Sequence, residues 1–92
     1  MITRLVKMVF RPEEIENFKQ IFEAKKERIA NFEGCKGVKL FQVENVFFTY
    51  SIWENESYLE AYRQSTFFVE TWAVTKQLFA EKPEAWTVNE VG

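Results

Sequence analysis

The order of two hydrophobic periodicities along the chain constrains its fold more than any other feature. Apolar residues alternate over residues 2–10, 38–43, 46–53 and 85–91, and they recur at helical spacing over residues 15–32 and from residue 56 onward. The first kind of spacing predicts strands and the second predicts amphipathic helices. The sequence therefore predicts an α+β domain in which a strand–helix–strand unit occurs twice, and we expect it to form a single domain over residues 1–92.

This repeated unit is typical of a ferredoxin-like βαββαβ sandwich, in which two helices cover one face of a four-stranded antiparallel sheet. The predicted strands carry apolar residues on both faces, so the second face needs a partner that the helices cannot supply. A chain of 92 residues also buries only about 60–65% of its unfolded surface when it folds alone. We therefore expect a homodimer built as a dimeric α+β barrel.

The third predicted strand indicates which side chains lie at the dimer interface. Its alternating residues form two sets that point to opposite faces, Val46, Phe48, Tyr50 and Ile52 in one and Phe47, Thr49, Ser51 and Trp53 in the other. The first set is nearly all apolar and is predicted to face the helices. The second set is then predicted to lie on the open face, with Phe47 and Trp53 as the interface candidates because large aromatic residues are enriched at interfaces.

Turn and capping residues mark the ends of these elements. Pro12 suits the first turn of the first helix, and Asn55 is a good N-cap for the second. Asn45 is predicted to take the left-handed conformation in a two-residue hairpin. Ser65 and the threonine after it predict a bend in the second helix, because hydroxyl groups compete for backbone partners. Pro83 is predicted to end that helix.

Charge and composition exclude several classes of function. The formal net charge is −2 and the cationic residues are interspersed with acidic ones, which argues against nucleic acid as a partner. No run approaches the roughly 18 apolar residues of a membrane span. The first apolar stretch is interrupted by Arg4 and Lys7, unlike a signal peptide. The single Cys35 fits a reducing compartment, so we expect a cytoplasmic protein.

The sequence contains no histidine. It therefore lacks the commonest general base, the commonest metal ligand and the usual proximal ligand of haem iron. With only one cysteine as well, no metal site is expected.

Three short segments resemble the antibiotic biosynthesis monooxygenase family. They are Trp53-Glu54-Asn55, then Tyr62-Arg63-Gln64-Ser65 with Phe68, and Pro83-Glu84-Ala85-Trp86. The resemblance covers nearly the whole chain and implies a small dimeric α+β barrel. It also implies one of several activities, since the family includes cofactor-free oxygenases of polycyclic phenols, haem-degrading enzymes and members with no assigned reaction.

The resemblance implies a pocket between the helices and the sheet. In the haem-degrading branch this pocket has an asparagine on the first strand and a tryptophan and a histidine ligand on the second helix. Counting along this chain places those three positions near Val6, on Tyr62 and on Trp72. An indole N–H cannot ligate iron, so haem degradation is disfavoured and no cofactor is expected.

The residues predicted to line this pocket are Val6, Tyr50, Tyr62, Arg63, Phe68 and Trp72. Tyr62 and Trp72 can hold a planar ligand through their aromatic faces and their O–H and N–H groups, although aromatic residues at helical spacing also form ordinary core. Arg63 can stabilise an oxyanion, or it can form a surface ion pair with Glu60. No residue is identified as the catalytic base.

Two further residues have a structural and a functional interpretation. Arg4 lies on the apolar face of the first strand, where its partner is either a ligand or, as we favour, Glu90 on the last strand. Cys35 is adjacent to Lys36, but nothing nearby supplies a base, so we interpret it as an ordinary turn residue rather than a reactive thiol.

Three functions remain open. The leading hypothesis is a cofactor-independent monooxygenase that acts on a small aromatic or polycyclic phenol-type substrate. The second is a non-catalytic module that binds a small aromatic molecule in the same pocket. The third is a structural dimer whose cavity is filled by its own side chains.

Overall fold

The structure, a computed structural model, describes residues 1–92 and contains the predicted order of strands and helices. The strands are β1 (Ile2–Val9), β2 (Cys35–Val43), β3 (Val46–Trp53) and β4 (Glu84–Val88), and the helices are α1 (Ile15–Ala30), α2 (Glu56–Arg63) and α3 (Thr66–Thr75). Short 3₁₀ turns at Pro12–Glu14 and Lys76–Leu78 flank α1 and α3. None of the helices combines the length and the apolar character that a membrane crossing requires.

All neighbouring strands of the sheet are antiparallel, in the order β2-β3-β1-β4. One side of the central strand β1 packs against the helices, where Met8 and the adjoining Phe10 join Phe18 of α1 in the core. The rings of Phe10 and Phe18 stack with their centroids 4.2 Å apart. The fold is therefore the predicted ferredoxin-like α+β sandwich, with its helices on one face of the sheet.

The register between β1 and β3 reverses the predicted faces of β3. Directly opposed residues share a face of a sheet, and Met8 pairs with Phe47 while Ile2 pairs with Trp53. Phe47 is 1% exposed and Trp53 is fully buried. The predicted assignment is wrong: both candidates for the dimer interface lie under the helices. Hydrophobicity favoured the wrong face, because the set that meets the helices contains Thr49 and Ser51 and is the less apolar of the two.

The opposite face of the sheet is apolar and uncovered. Tyr50 lies on it opposite Leu5 of β1, and Leu5 in turn pairs with Trp86 of β4. Trp86 is 44% exposed, and on the edge strand β2 Phe41 and Val43 are 53% and 58% exposed. The prediction that the helices leave an apolar sheet face without intrachain cover is therefore confirmed, with a different set of residues.

The predicted helix caps are largely confirmed. The Asn55 side chain accepts hydrogen bonds from the backbone N–H groups of Ser57 and Tyr58 at the start of α2. The predicted bend is a complete break, at which the Ser65 hydroxyl accepts from the Phe68 N–H at 3.1 Å and caps α3.

The predicted end of the second helical segment at Pro83 is wrong. Helical structure stops at Leu78, and the next residue, Phe79, forms an isolated β-bridge with Phe10. The Ala80 N–H also bonds to the Val9 carbonyl at 2.8 Å. Pairing with the end of β1 therefore ends the helical segment before Pro83.

Two turns depend on left-handed backbone. In the β2–β3 hairpin Glu44, and not Asn45 as predicted, has a positive φ of 54°. Asn45 instead donates its side-chain N–H to the Phe10 carbonyl at 2.8 Å, which ties the hairpin to the end of β1. Gly34, with a φ of 82°, allows the ring of Tyr58 to pack directly against the backbone before β2.

Candidate functional site

A cavity of about 410 Å³ lies between the helices and the covered face of the sheet. The helix-facing side of β3 explains why space remains there. Its two ends carry the large residues Phe47 and Trp53, whereas its middle carries the small Thr49 and Ser51, both of which line the cavity. The hypothesis that the protein's own side chains fill this space is therefore wrong.

The walls of the cavity are mostly apolar and come from every layer of the fold. The sheet contributes Arg4, Val6, Met8, Val38, Thr49, Ser51 and Ala85, α1 contributes Phe18, Phe22 and Ile29, and α2 and α3 contribute Leu59, Tyr62, Arg63, Phe68, Thr71, Trp72 and Thr75. No histidine or carboxylate lines the cavity. Nowhere in the structure do three acidic or cysteine side chains converge in an arrangement that could hold a metal ion.

One wall is a continuous row of aromatic rings. Tyr62 stacks on Trp53 with ring centroids 5.0 Å apart, and it meets Phe68 edge-on at 5.1 Å. Phe68 in turn stacks on Trp72 at 5.9 Å and an interplanar angle of 10°. The helix break at Ser65 makes this row continuous, because it reorients α3 so that Trp72 lines the same cavity as Tyr62.

Two hydrogen-bond donors on this row have no partner within the protein. The Tyr62 hydroxyl and the Trp72 indole N–H form no hydrogen bond. Every fully buried side-chain polar atom in the structure has a hydrogen-bond partner, so neither of these two donor atoms is fully buried. Both donor atoms therefore have exposed surface, and both residues line the cavity. The indole N–H of Trp53, by contrast, is satisfied by the Ser51 hydroxyl at 2.9 Å.

Burial of Tyr62 raises the pKa of its phenol well above the ordinary range, and the nearby Cys35 thiol shifts it in the same direction. The phenol consequently keeps its proton at neutral pH and acts as a hydrogen-bond donor rather than as a base.

Two arginines lie at the cavity on different layers of the fold. Arg4 of β1 donates to the Thr87 hydroxyl of β4 at 3.0 Å, so the predicted pair between Arg4 and Glu90 is absent. Arg63 forms an ion pair with Glu60, with an Nη1 to Oε2 distance of 3.1 Å, as the alternative interpretation of this residue predicted. Burial, and secondarily the charge of Arg63, lowers the pKa of Arg4, whereas Glu60 acts in the opposite sense.

Five of the six predicted pocket residues surround this one cavity: Val6, Tyr62, Arg63, Phe68 and Trp72. Tyr50 does not, because it lies on the uncovered face, where its ring meets Phe41 edge-on at 6.5 Å. Cys35 lies outside the lining, and burial raises the pKa of its thiol, which argues against a reactive thiolate.

Phe18, Phe22, Thr49 and Ser51 are among the lining residues that were not predicted, and Arg4 lines the cavity although a structural role was favoured for it. The small size of Thr49 and Ser51 is visible in the sequence, but the sequence alone does not show that these two residues face the helices. They line the cavity only because β3 pairs with β1 in a register that opposes Ser51 to Arg4 and Thr49 to Val6.

Comparison with solved structures gives close matches in fold at low sequence identity. Rv0793 from Mycobacterium tuberculosis superposes with a TM-score of 0.90 at 12% identity, covering 99% of this chain and 95% of that one. A crystal structure described as an antibiotic biosynthesis monooxygenase gives 0.92 at 14% identity over the whole of both chains. A conserved protein from Methanosarcina mazei Go1 gives 0.90 at 19% identity, covering 99% of this chain and 94% of that one. At such identities these similarities establish the fold alone.

A search of curated protein sequences finds no match. The sequence model of one family, described as antibiotic biosynthesis monooxygenase, matches residues 1–73, which include β1 to β3, α1, α2 and most of α3. This chain therefore belongs to the antibiotic biosynthesis monooxygenase family.

Proposed function

We propose that this protein is a cofactor-independent monooxygenase that binds a small aromatic, phenol-type substrate in the cavity between its helices and its sheet. The observation that carries the proposal is the pair of unpartnered donors, Tyr62 O–H and Trp72 N–H, on an aromatic wall. A volume of about 410 Å³ also falls within the range typical of small-molecule sites.

The proposed reaction draws its electrons from the substrate. An anthrone-like phenol loses a proton from its activated CH₂ carbon to solvent, because no side chain that lines the cavity is a suitable base, and the resulting carbanion donates an electron to O₂. In the complete reaction the CH₂ group and O₂ give a carbonyl group and water. The carbon loses four electrons, one oxygen atom forms the new C=O bond, and the other leaves as water with the two hydrogens.

The protein's part in this reaction is to bind the substrate and to stabilise its anion. The aromatic row supplies a flat apolar surface for the rings, which also excludes water from them. A neutral Tyr62 hydroxyl and the Trp72 N–H can donate hydrogen bonds to the enolate oxygen as its negative charge increases, which lowers the barrier to deprotonation.

Oxygen uptake with a panel of anthrones and quinols tests this proposal. We expect the wild-type protein to increase uptake above the spontaneous rate and a Tyr62→Phe, Trp72→Phe double variant to lose most of that increase. Tyr58→Phe is the matched control, since it removes a tyrosine hydroxyl that does not line the cavity. Equal uptake by the wild type and the double variant would refute the assigned donors.

A second candidate function is the binding of a small aromatic molecule without turnover. The absence of a histidine or carboxylate from the cavity lining favours it, because no side chain there is a suitable general base. Saturable binding of an anthrone or quinol with no oxygen uptake above the spontaneous rate would select this function over catalysis.

We also propose that the protein acts as a homodimer through the uncovered sheet face. Trp86, Phe41 and Val43 are each more than 40% exposed there, an unfavourable arrangement for an isolated chain of this size. Sedimentation should give twice the chain mass of 11.0 kDa, and a monomer at micromolar concentration would refute the proposal.

The single free Cys35 is compatible with the reducing cytoplasm, where we propose that the protein is located.

A further inference from the structure

The protein does not neutralise all of the positive charge of the two arginines at the cavity. The one hydrogen-bond partner of Arg4 is the neutral Thr87 hydroxyl, whereas the single carboxylate of Glu60 pairs directly with Arg63 and also acts on Arg4 beyond ion-pair distance. Two cationic groups and one anionic group leave one positive charge without a protein partner. Glu60 does not line the cavity, whereas both guanidinium groups belong to residues that do.

The hydrogen bonds of these arginines show the same imbalance. Arg63 contacts Glu60 through Nη1 alone and its side chain is 42% exposed, so its Nε and Nη2 groups are open to solvent or to a ligand. Arg4 likewise uses only Nη1, toward Thr87. A guanidinium carries five N–H donors, and it binds planar oxyanions through two of them at once. The remaining donors are therefore suited to a ligand that brings its own negative charge.

The mutual position of the two arginines supports this interpretation. They belong to opposite layers, Arg4 to the sheet and Arg63 to the last turn of α2, and both line the same cavity. Burial, and secondarily the charge of Arg63, lowers the pKa of Arg4. Like charges placed together at an apolar cavity are unfavourable in the empty protein. An anionic ligand between them would relieve that repulsion.

We infer that Arg4 and Arg63 form an oxyanion-binding pair, so that the ligand of the cavity is an aromatic molecule carrying an ionised acidic group, either a phenolate or a carboxylate. The inference deepens the proposed function and rests on it only in taking the cavity as the ligand site. It also supplies a route to substrate ionisation, because adjacent positive charge favours the anionic form of a bound phenol.

Calorimetric titration with 1-naphthoate and its neutral isostere 1-naphthamide tests this inference. We expect the wild-type protein to bind the carboxylate at least tenfold more tightly than the amide at neutral pH, the order of effect of a hydrogen bond to a charged group. Arg4→Gln and Arg63→Gln should each weaken naphthoate binding by about tenfold and change naphthamide binding by less than about twofold. Lys26→Gln is the matched control, because it removes one positive charge from an exposed ion pair on α1.

A second probe distinguishes the two acidic groups. If the pair accepts phenolates, 4-nitrophenol bound to the wild-type protein should ionise at a lower pH than the free molecule, as its visible absorbance reports. Naphthoate binding without that shift would assign the site to carboxylates, and either result supports the oxyanion pair.

The inference would be overturned by equal affinity for naphthoate and naphthamide, by unchanged naphthoate binding in both arginine variants, or by no binding of either probe. These outcomes are separable from a failure of the proposed function. Arginine-dependent binding without oxygen uptake would reject turnover alone, whereas oxygen uptake by the wild type together with unchanged naphthoate binding in both arginine variants would reject the oxyanion pair alone.

Discussion

Replacing Tyr62 by phenylalanine tests whether the Tyr62 hydroxyl binds a ligand or has only a structural role in the core. Ordinary core tyrosines hydrogen-bond their hydroxyls, and removing such a bond costs about 1 kcal/mol of folding free energy. The Tyr62 hydroxyl has no such bond, and phenylalanine retains the stacking on Trp53 and the edge contact with Phe68. We therefore expect the free energy of unfolding of Tyr62→Phe to lie within about 0.5 kcal/mol of the wild-type value.

The same change should weaken ligand binding markedly. A hydrogen bond to a charged acceptor contributes about 1.5–3 kcal/mol, so the affinity for a bound phenolate should fall by roughly 10- to 100-fold. Urea unfolding followed by circular dichroism gives the first quantity, and titration with 4-nitrophenolate gives the second. The matched Tyr58→Phe variant, outside the cavity, should leave phenolate affinity unchanged. A loss of more than about 1 kcal/mol of stability with unaltered affinity would refute the reasoning, because it would show a structural hydroxyl.

Three further predictions concern stability and assembly. Gly34→Ala should destabilise the fold by about 2–4 kcal/mol in urea unfolding, since the new Cβ would clash with the Tyr58 ring on left-handed backbone; a loss below about 1 kcal/mol would contradict this. The raised pKa of the Tyr62 phenol means that the folded state holds this proton more tightly than the unfolded chain does. The contribution of the Tyr62 phenol to the free energy of unfolding should be complete below about pH 10 and should decrease as the pH rises further. If Tyr62→Phe loses as much stability at alkaline pH as the wild type does, Tyr62 is not the cause of that loss. Trp86→Glu should weaken dimerisation at least about tenfold in sedimentation, whereas Glu56→Ala should not, and equal dimer affinities would place the interface elsewhere.

Local sequence signals predicted those parts of the fold that depend on near neighbours in the chain. The Asn55 cap and the break at Ser65 follow from side chains that bond to backbone groups two or three residues away. Such contacts form whatever the distant chain does, so they can be inferred without coordinates. The end of the second helical segment could not, because pairing of Phe79 with Phe10 decides it from across the chain.

The candidate site was predictable on the helices but not on strand β3. Tyr62, Phe68 and Trp72 line the cavity as expected, since the helical pattern and the break between them are local. The assignments of Tyr50, Phe47 and Trp53 depended on which face of β3 meets the helices. A shift of one residue in strand pairing exchanges the two faces, and in β3 the more apolar set lies on the uncovered face, so hydrophobicity selected the wrong one.

Sequence alone determined the order of the elements, the position of the helix break and the existence of a second apolar sheet face, because each follows from periodicity or from short-range hydrogen bonds. Tertiary structure decided which alternating set of β3 is buried, that Thr49 and Ser51 leave a cavity between two large aromatic residues, and that Arg4 and Arg63 both line it. The physical reason is that strand register and the meeting of layers are set by contacts between residues far apart in the chain, and no local pattern encodes them.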